Sequence, residues 1–266
     1  MCRWLAYFGS PICLEDLLYA PEHSLIDQGR SAREGKIPVN GDGFGIGWYS
    51  RRPEPGIYRE VLPVWNDRNL RSLSRQIDSR LLFAHIRAST GTATTRSNCH
   101  PFAVGRWMFM HNGQIGGYMT VRRELESLIP DNLYIYREGA TDSELIFLLA
   151  LANGLDEAPE QAIAATIRQV DEVTTRRGIS EPTKMTAAFS DGERVFAVRY
   201  SSDESAPSLY LNCSDGSALV ASEPLDGIAD RWVPIAPAGM VVVEGPDKCK
   251  VRRIDFSAAQ HTTGHS

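Results

Sequence analysis

Apolar residues fall in short unbroken runs near the start of the chain and recur every three or four positions through its middle. Trp4-Leu5-Ala6-Tyr7-Phe8 form one such run, and Gly9-Ser10-Pro11 end it, so residues 3–9 are predicted as a buried strand. Pro11 then opens a predicted short helix carrying Leu14, Leu17 and Leu18, which stops by Pro21. No element is predicted between Glu22 and Asp42, and a loop of that length marks a lid, a binding segment or disorder. Further strands are predicted at 44–50, entered through Asn40-Gly41-Asp42-Gly43-Phe44-Gly45, at 81–86 and at 107–110. Leu70, Leu73 and Ile77 recur at helical spacing behind an Asn66 cap. Three more helices are expected at about 120–128, 142–151 and 159–177, the last with Pro159 at its start and Gly178 just beyond its end.

The last third changes period. β-prone runs at 184–190 and 193–200 flank Asp191-Gly192, the signature of a two-residue type I′ hairpin. Short strands follow at 208–212, 218–222, 240–244 and 250–255. Strands early, helices in the middle and strands late predict an α+β protein packed in layers. No repeat and no linker divides the chain, so residues 2–256 are expected to form one domain, with 257–266 a disordered tail.

Composition narrows the picture little. The chain has 266 residues, of which 42% are hydrophobic and 23% charged, ordinary values for a soluble globular protein. No apolar run is long enough to span a membrane, and the N-terminus lacks a signal-peptide pattern, which makes a cytoplasmic protein the expectation. A net charge of −5 excludes a general attraction to nucleic acid. Five cysteines, an odd number without a CxxC pair, argue against a disulfide framework and a zinc ribbon. Adjacent Cys99 and His100 are poor metal ligands without a second cluster, and nothing calls for a metal or another cofactor.

The candidate chemistry begins at Cys2. Removal of Met1 would leave a residue bearing both a thiol and a free α-amine, whose pKa near ~8 makes it a usable base at neutral pH. Other polar residues lie just past predicted strand ends, where a scaffold can present them. Arg87 follows Phe83-Ala84-His85-Ile86 and can clamp a carboxylate with two parallel bonds, or be an ordinary strand-end arginine. Asn112-Gly113 reads either as a hairpin turn or as a side-chain amide beside an unencumbered backbone N–H, the makings of an oxyanion hole. Thr141-Asp142-Ser143-Glu144 is a capping box, leaving Asp142 as a charge complementing the helix dipole or as an acceptor for a substrate ammonium. His85 reads as a core histidine. The alternating Gly41, Gly43, Gly45 and Gly47 lead into a strand, the reverse of a dinucleotide-binding fingerprint.

Taken in order, Met1-Cys2-Arg3, Asn40-Gly41-Asp42-Gly43-Phe44-Gly45, Ala84-His85-Ile86-Arg87-Ala88-Ser89-Thr90, Asn98-Cys99-His100-Pro101-Phe102, Met110-His111-Asn112-Gly113 and Thr141-Asp142-Ser143-Glu144 resemble the class II glutamine amidotransferases, which are N-terminal-nucleophile hydrolases. Pro21-Glu22-His23-Ser24-Leu25-Ile26 and Ala221-Ser222-Glu223-Pro224-Leu225 further resemble a stand-alone branch that includes the glutaminase-like subunit of the fungal glutathione-degradation complex and, more distantly, the amidohydrolase of ergothioneine biosynthesis. The resemblance implies a four-layer αββα sandwich of two antiparallel sheets between helical layers. It implies Cys2 as nucleophile with its α-amine as base, Asn112 and Gly113 as the oxyanion hole, Arg87 on a substrate α-carboxylate and Asp142 on its α-ammonium. The expected substrate is a small γ-glutamyl compound, either glutamine or a γ-glutamyl peptide such as glutathione, with a separate peptidase or synthase subunit as a conceivable partner. Two rival readings stand beside it: an N-terminal-nucleophile acylase for another amide, and a non-catalytic subunit that binds glutamyl compounds.

Overall fold

The computed structural model describes residues 2–34, 39–89, 91–203 and 205–256, so the expected tail at 257–266 lies outside the described residues. In chain order the elements are β1 (Arg3–Cys13), α1 (Leu14–Leu18), α2 (Leu25–Arg30), β2 (Phe44–Trp48), β3 (Gly56–Glu60), α3 (Arg68–Leu73), β4 (Asp78–Ile86), β5 (Phe102–Val104), β6 (Trp107–Gln114), α4 (Tyr118–Glu126), α5 (Asp131–Tyr134), α6 (Asp142–Ala152), α7 (Pro159–Arg176), β7 (Lys184–Ser190), β8 (Val195–Ser201), β9 (Tyr210–Ser214), β10 (Ser217–Ala221), β11 (Val233–Pro234), β12 (Gly239–Val243) and β13 (Cys249–Arg253).

These strands make two antiparallel sheets. The first has the order β11-β9-β10-β1-β4-β2-β3 and the second β13-β12-β8-β7-β6-β5. Side-chain alternation along each strand sorts the apolar residues into three cores. Leu5, Tyr7, Leu82, Ala84 and Ile86 face outward from the first sheet and are covered by Leu14, Leu17 and Leu18 of α1 and Leu25 and Ile26 of α2. Trp4, Ala6, Phe8, Leu81, Phe83, Met108 and Met110 fill the space between the sheets. Phe109, Ala187, Phe189 and Val198 face outward from the second sheet, under α4, α6 and α7. Three cores require four layers, so the αββα sandwich is the observed architecture. Helix α6 is buried on every side from Ser143 to Ala150, as expected for a helix packed between a sheet and a second helix.

Several local expectations need correction. Pro11 does not open a helix: β1 continues through it to Cys13, with a register shift between Phe8 and Ile12 that accommodates the Gly-Ser-Pro breaker as a bulge. The stretch predicted to be featureless contains α2, capped by Ser24 accepting from the Asp27 N–H. The cap of α3 is Asp67 rather than Asn66. The β7–β8 hairpin pairs Ser190 with Val195, leaving a four-residue loop in place of a two-residue turn. Its conformation is set by the Asp191 carboxylate, which accepts from the Glu193 and Arg194 N–H groups and from the Arg194 guanidinium.

The inference against disulfides is also corrected. Cys213 on β9 and Cys249 on β13 are bonded, with Cα atoms 6.5 Å apart and a sequence separation of 36. An odd count guarantees only that one cysteine is left over. Which two meet is decided by the stacking of one sheet on the other, and spacing along the chain carries no trace of that. Cys2, Cys13 and Cys99 are free.

Candidate active site

Alternation brings the predicted site residues together. Cys2 stands one step before β1, in phase with Trp4 and Ala6, whose side chains lie between the sheets. Arg87 stands one step beyond β4, in phase with Leu81 and Phe83. Because Arg3 pairs with Ile86, Cys2 and Arg87 are neighbours at the same end of the first sheet. On the facing sheet Asn112 is in phase with Met108 and Met110. The bond between His85 Nε2 and the His111 carbonyl, 3.1 Å, ties that part of β6 to the same end of β4. Cys2, Arg87 and Asn112 therefore converge on one end of the inter-sheet slot, from three strands and both sheets.

Cys2 is held by the backbone of Ala88. The thiol donates to its carbonyl at 3.6 Å, and Sγ accepts from its N–H at 3.4 Å. Burial pushes the thiol pKa above its ordinary value, while the Ala88 hydrogen bond and the Arg87 charge oppose the shift. A thiol in that condition is protonated at neutral pH and needs a base to become a nucleophile.

Arg87 is 3% exposed. Its five hydrogen bonds go to neutral acceptors: the carbonyls of Asp42, Thr92 and Ala93 and the hydroxyls of Ser89 and Thr92. Among the described residues no carboxylate is paired with it. A buried guanidinium held only by neutral groups retains its attraction for an anion, the property a carboxylate clamp requires.

Asn112 is not in a turn. It lies within β6, paired with Thr186, is 2% exposed, and its Nδ2 has no partner among the described residues. Leaving a buried amide donor unsatisfied costs roughly 1–3 kcal/mol, so its retention points to a ligand oxygen as its acceptor. The strand runs on through Gly113 because that residue has no side chain: a Cβ there would lie 1.8 Å from the Lys184 carbonyl oxygen. Behind it, His111 points away from the slot and binds Ser143 Oγ at 2.8 Å on α6.

Asp142 occupies the first turn of α6, half-buried, where Oδ2 accepts from the Ile115 N–H at 2.8 Å just past β6. The same carboxylate opposes the burial that depresses the His111 pKa. The capping box is half formed. Thr141 Oγ1 accepts from the Glu144 N–H, but the Glu144 carboxylate goes to the N–H groups of Glu138 and Gly139 and to Arg137.

Three contributors escape a reading by residue type. Asp42 accepts from the Ser89 N–H and from Arg87, fixing the strand-end turn. Asn98 donates to the Ala93 carbonyl and accepts from the Ala140 N–H, joining the Arg87 loop to the segment that caps α6. His100 stacks on His85 at 4.1 Å, and among the described residues neither of its ring nitrogens has a partner. Its backbone reaches Gly45 so closely that a Cβ there would lie 2.2 Å from the His100 carbonyl oxygen. Asn98 and His100 belong to a quoted motif, and that membership was their signal. Burial makes both histidines harder to protonate, His85 down to about 3.

Similarity to known proteins agrees with this geometry. The family model for class II glutamine amidotransferases matches residues 22–213. A probable glutamine amidotransferase of Saccharomyces cerevisiae, DUG3, is 35% identical over 253 residues, covering 84% of this chain and 70% of the relative. A γ-glutamyl-hercynylcysteine sulfoxide hydrolase of Mycolicibacterium smegmatis is 29% identical over 229 residues, covering 85% of this chain and 88% of the relative. Among solved structures, a class II domain protein from Silicibacter pomeroyi superposes with a TM-score of 0.75 at 38% identity, over 95% of this chain and 99% of that one. The glutamine phosphoribosylpyrophosphate amidotransferase of B. subtilis, at 14% identity and a TM-score of 0.67, shares the fold over 97% of this chain and 50% of its own. The chain is thus an enzyme of the class II glutamine amidotransferase family.

Proposed function

We propose that this enzyme hydrolyses γ-glutamyl amides through a thioester on Cys2, as a single domain of residues 2–256. The observation that carries the reading is the slot end. There, among the described residues, a buried amide donor has no acceptor and a buried guanidinium no carboxylate, both at the end of the slot that holds a protonated thiol.

Removal of Met1 frees the α-amine of Cys2 as general base. The amine takes the thiol proton while Sγ attacks the γ-carbonyl, and Asn112 Nδ2 with the Gly113 N–H receives the developing oxyanion. The tetrahedral adduct collapses as the amine returns its proton to the leaving nitrogen, leaving a γ-glutamyl thioester. Water, deprotonated by the same amine, releases glutamate and restores the thiol. Arg87 grips the α-carboxylate and Asp142 the α-ammonium, which selects a glutamyl group over a plain acyl group. The names of the relatives, a glutamine amidotransferase and a γ-glutamyl-hercynylcysteine sulfoxide hydrolase, support a γ-glutamyl substrate; our reading is glutamine, or a γ-glutamyl compound with a larger leaving group such as glutathione, acted on alone or with a separate peptidase or synthase subunit.

The test is glutamate release from glutamine and from glutathione by protein whose loss of Met1 is verified by intact mass, beside Cys2→Ala. Release that depends on Cys2 supports the hydrolase, and the ratio of the two rates assigns the leaving group. Binding of γ-glutamyl compounds without turnover would favour the subunit reading instead.

A further inference from the structure

Behind Cys2, on the helix-covered face of the first sheet, lies a buried charge cluster that the proposed chemistry does not use. Arg3 and Glu223 form an ion pair at 3.0 Å, with side chains 1% and 2% exposed. Glu223 also binds His23 Nε2 at 2.5 Å and accepts from the N–H groups of Arg33 and Glu34. Gln28 closes the arrangement by donating to the carbonyls of His23, Glu223 and Pro224. Two distant sequence stretches, around His23 and around Glu223, thus meet on one carboxylate.

From there the network reaches the nucleophile. Arg3 Nη1 donates to the carbonyl of Cys2 at 3.1 Å. Next to it, Trp4 and Ser222 exchange bonds between the Trp4 N–H and Ser222 Oγ and between the Ser222 N–H and the Trp4 carbonyl. The other side of Cys2 is held by Ala88, two residues beyond β4. A buried ion pair is a poor way to gain stability, because desolvation consumes most of its attraction and apolar residues of the same volume hold a fold as well. What a guanidinium supplies and a methionine does not is a directed bond to the Cys2 carbonyl.

We propose that Glu223 is a positioning residue for Cys2. It orients the Arg3 guanidinium, which fixes the Cys2 backbone and with it the direction of the α-amine and thiol toward Asn112 across the slot. This assignment rests on Cys2 as the nucleophile.

The test compares Glu223→Gln with Arg3→Met/Glu223→Gln, both Met1-free, in three readouts: melting temperature, the kcat and KM for γ-glutamyl turnover, and the iodoacetamide alkylation rate of Cys2 followed by peptide mass. Glu223→Gln keeps an acceptor for the Arg33 and Glu34 N–H groups but strands the Arg3 charge, so its melting temperature falls. The double variant removes that charge and recovers it. Positioning predicts that kcat drops by about tenfold or more in both variants, since small displacements of a reacting group have effects of that size. KM stays within about twofold, because Arg87 and Asp142 are untouched. The alkylation rate departs from wild type in both variants alike. Recovery of kcat and alkylation together with the melting temperature would reduce Glu223 to a structural role and overturn the proposal. Alkylation needs no substrate, so a wild-type protein without γ-glutamyl turnover would sink the proposed reaction while leaving the positioning of Cys2 open to measurement.

Discussion

The two faces of β1 treat charge in opposite ways. Behind the strand, Arg3 meets a carboxylate, and that carboxylate has four groups around it. In front, among the described residues, Arg87 has only neutral acceptors and Asn112 Nδ2 and both His100 nitrogens have no partner, while burial keeps the Cys2 thiol protonated. Behind the strand a buried positive charge is balanced by a buried negative one, and in front the Arg87 guanidinium is held by neutral groups alone among the described residues. That difference separates a structural cluster from a site more reliably than residue type, since arginine, histidine and a carboxylate occur in both neighbourhoods.

If the front face is the reactive one, substitutions there should damage chemistry more than folding. Cys2→Ala is expected to lower glutamate release by at least on the order of 10⁴-fold with an unchanged melting temperature. Residual turnover near wild type would end the comparison. Asn112→Ala should lower kcat by roughly 10²–10³, while thermal unfolding shows little loss, because the Nδ2 it removes has no partner among the described residues. An unaltered kcat would take Asn112 out of the oxyanion role.

Arg87→Ala removes a charge-assisted contact of roughly 1.5–3 kcal/mol, read mainly as a higher KM. It should also loosen the loop that Arg87 ties through Ser89, Thr92 and Ala93. Steady-state kinetics across glutamate analogues lacking the α-carboxylate tell the two apart: a clamp predicts that the variant no longer discriminates against them.

The smallest effect concerns acid. His85, His100 and His111 have folded pKa values below the ordinary 6.5, all from burial. Below about pH 6.5 the unfolded chain takes up protons that the folded chain refuses, so stability is complete above that pH and is lost as pH falls, through about 3 for His85. Each such histidine contributes a slope of at most about 1.4 kcal/mol per pH unit. His100→Asn should flatten the decline of denaturation midpoint between pH 6 and 5 by up to one proton. An identical slope would mean that His100 is already protonated in the fold.

The site was legible wherever one strand determined it. Runs such as 4–8 and 81–86 showed their strands, and Cys2 and Arg87, singled out at the ends of those runs, lie side by side in the structure. Asn112-Gly113 was locally misleading because Asn-Gly is the favoured hairpin turn, and glycine stays within a strand only where another backbone comes close. The close approach of the Lys184 carbonyl decided it, from 71 positions further along. Helix α2 was missed because it is six residues long with Gly29 inside it, and it is stabilised by packing against Ile86 instead of by propensity. Strand β3 is half-buried throughout, with no alternation to see. The Glu223 cluster and the Cys213–Cys249 bond were hidden because each joins segments far apart in sequence: pairing of β10 with β1 brings Glu223 to Arg3, and stacking of the sheets brings Cys213 to Cys249.

That bond has a mechanical meaning. Cys213 pairs with Ala218, and Ala218 with Phe8, so the crosslink belongs to the end of the sandwich away from Cys2. With one end riveted, the two sheets resemble a pair of tongs, and any spreading of one against the other opens widest at the jaws. Cys2 sits in one jaw and Asn112 in the other, with the contact from His85 to the His111 carbonyl as the catch between them. The distance from Cys2 to Asn112, the proposed nucleophile and oxyanion donor, is then the coordinate most sensitive to how tightly the opposite corner is fastened.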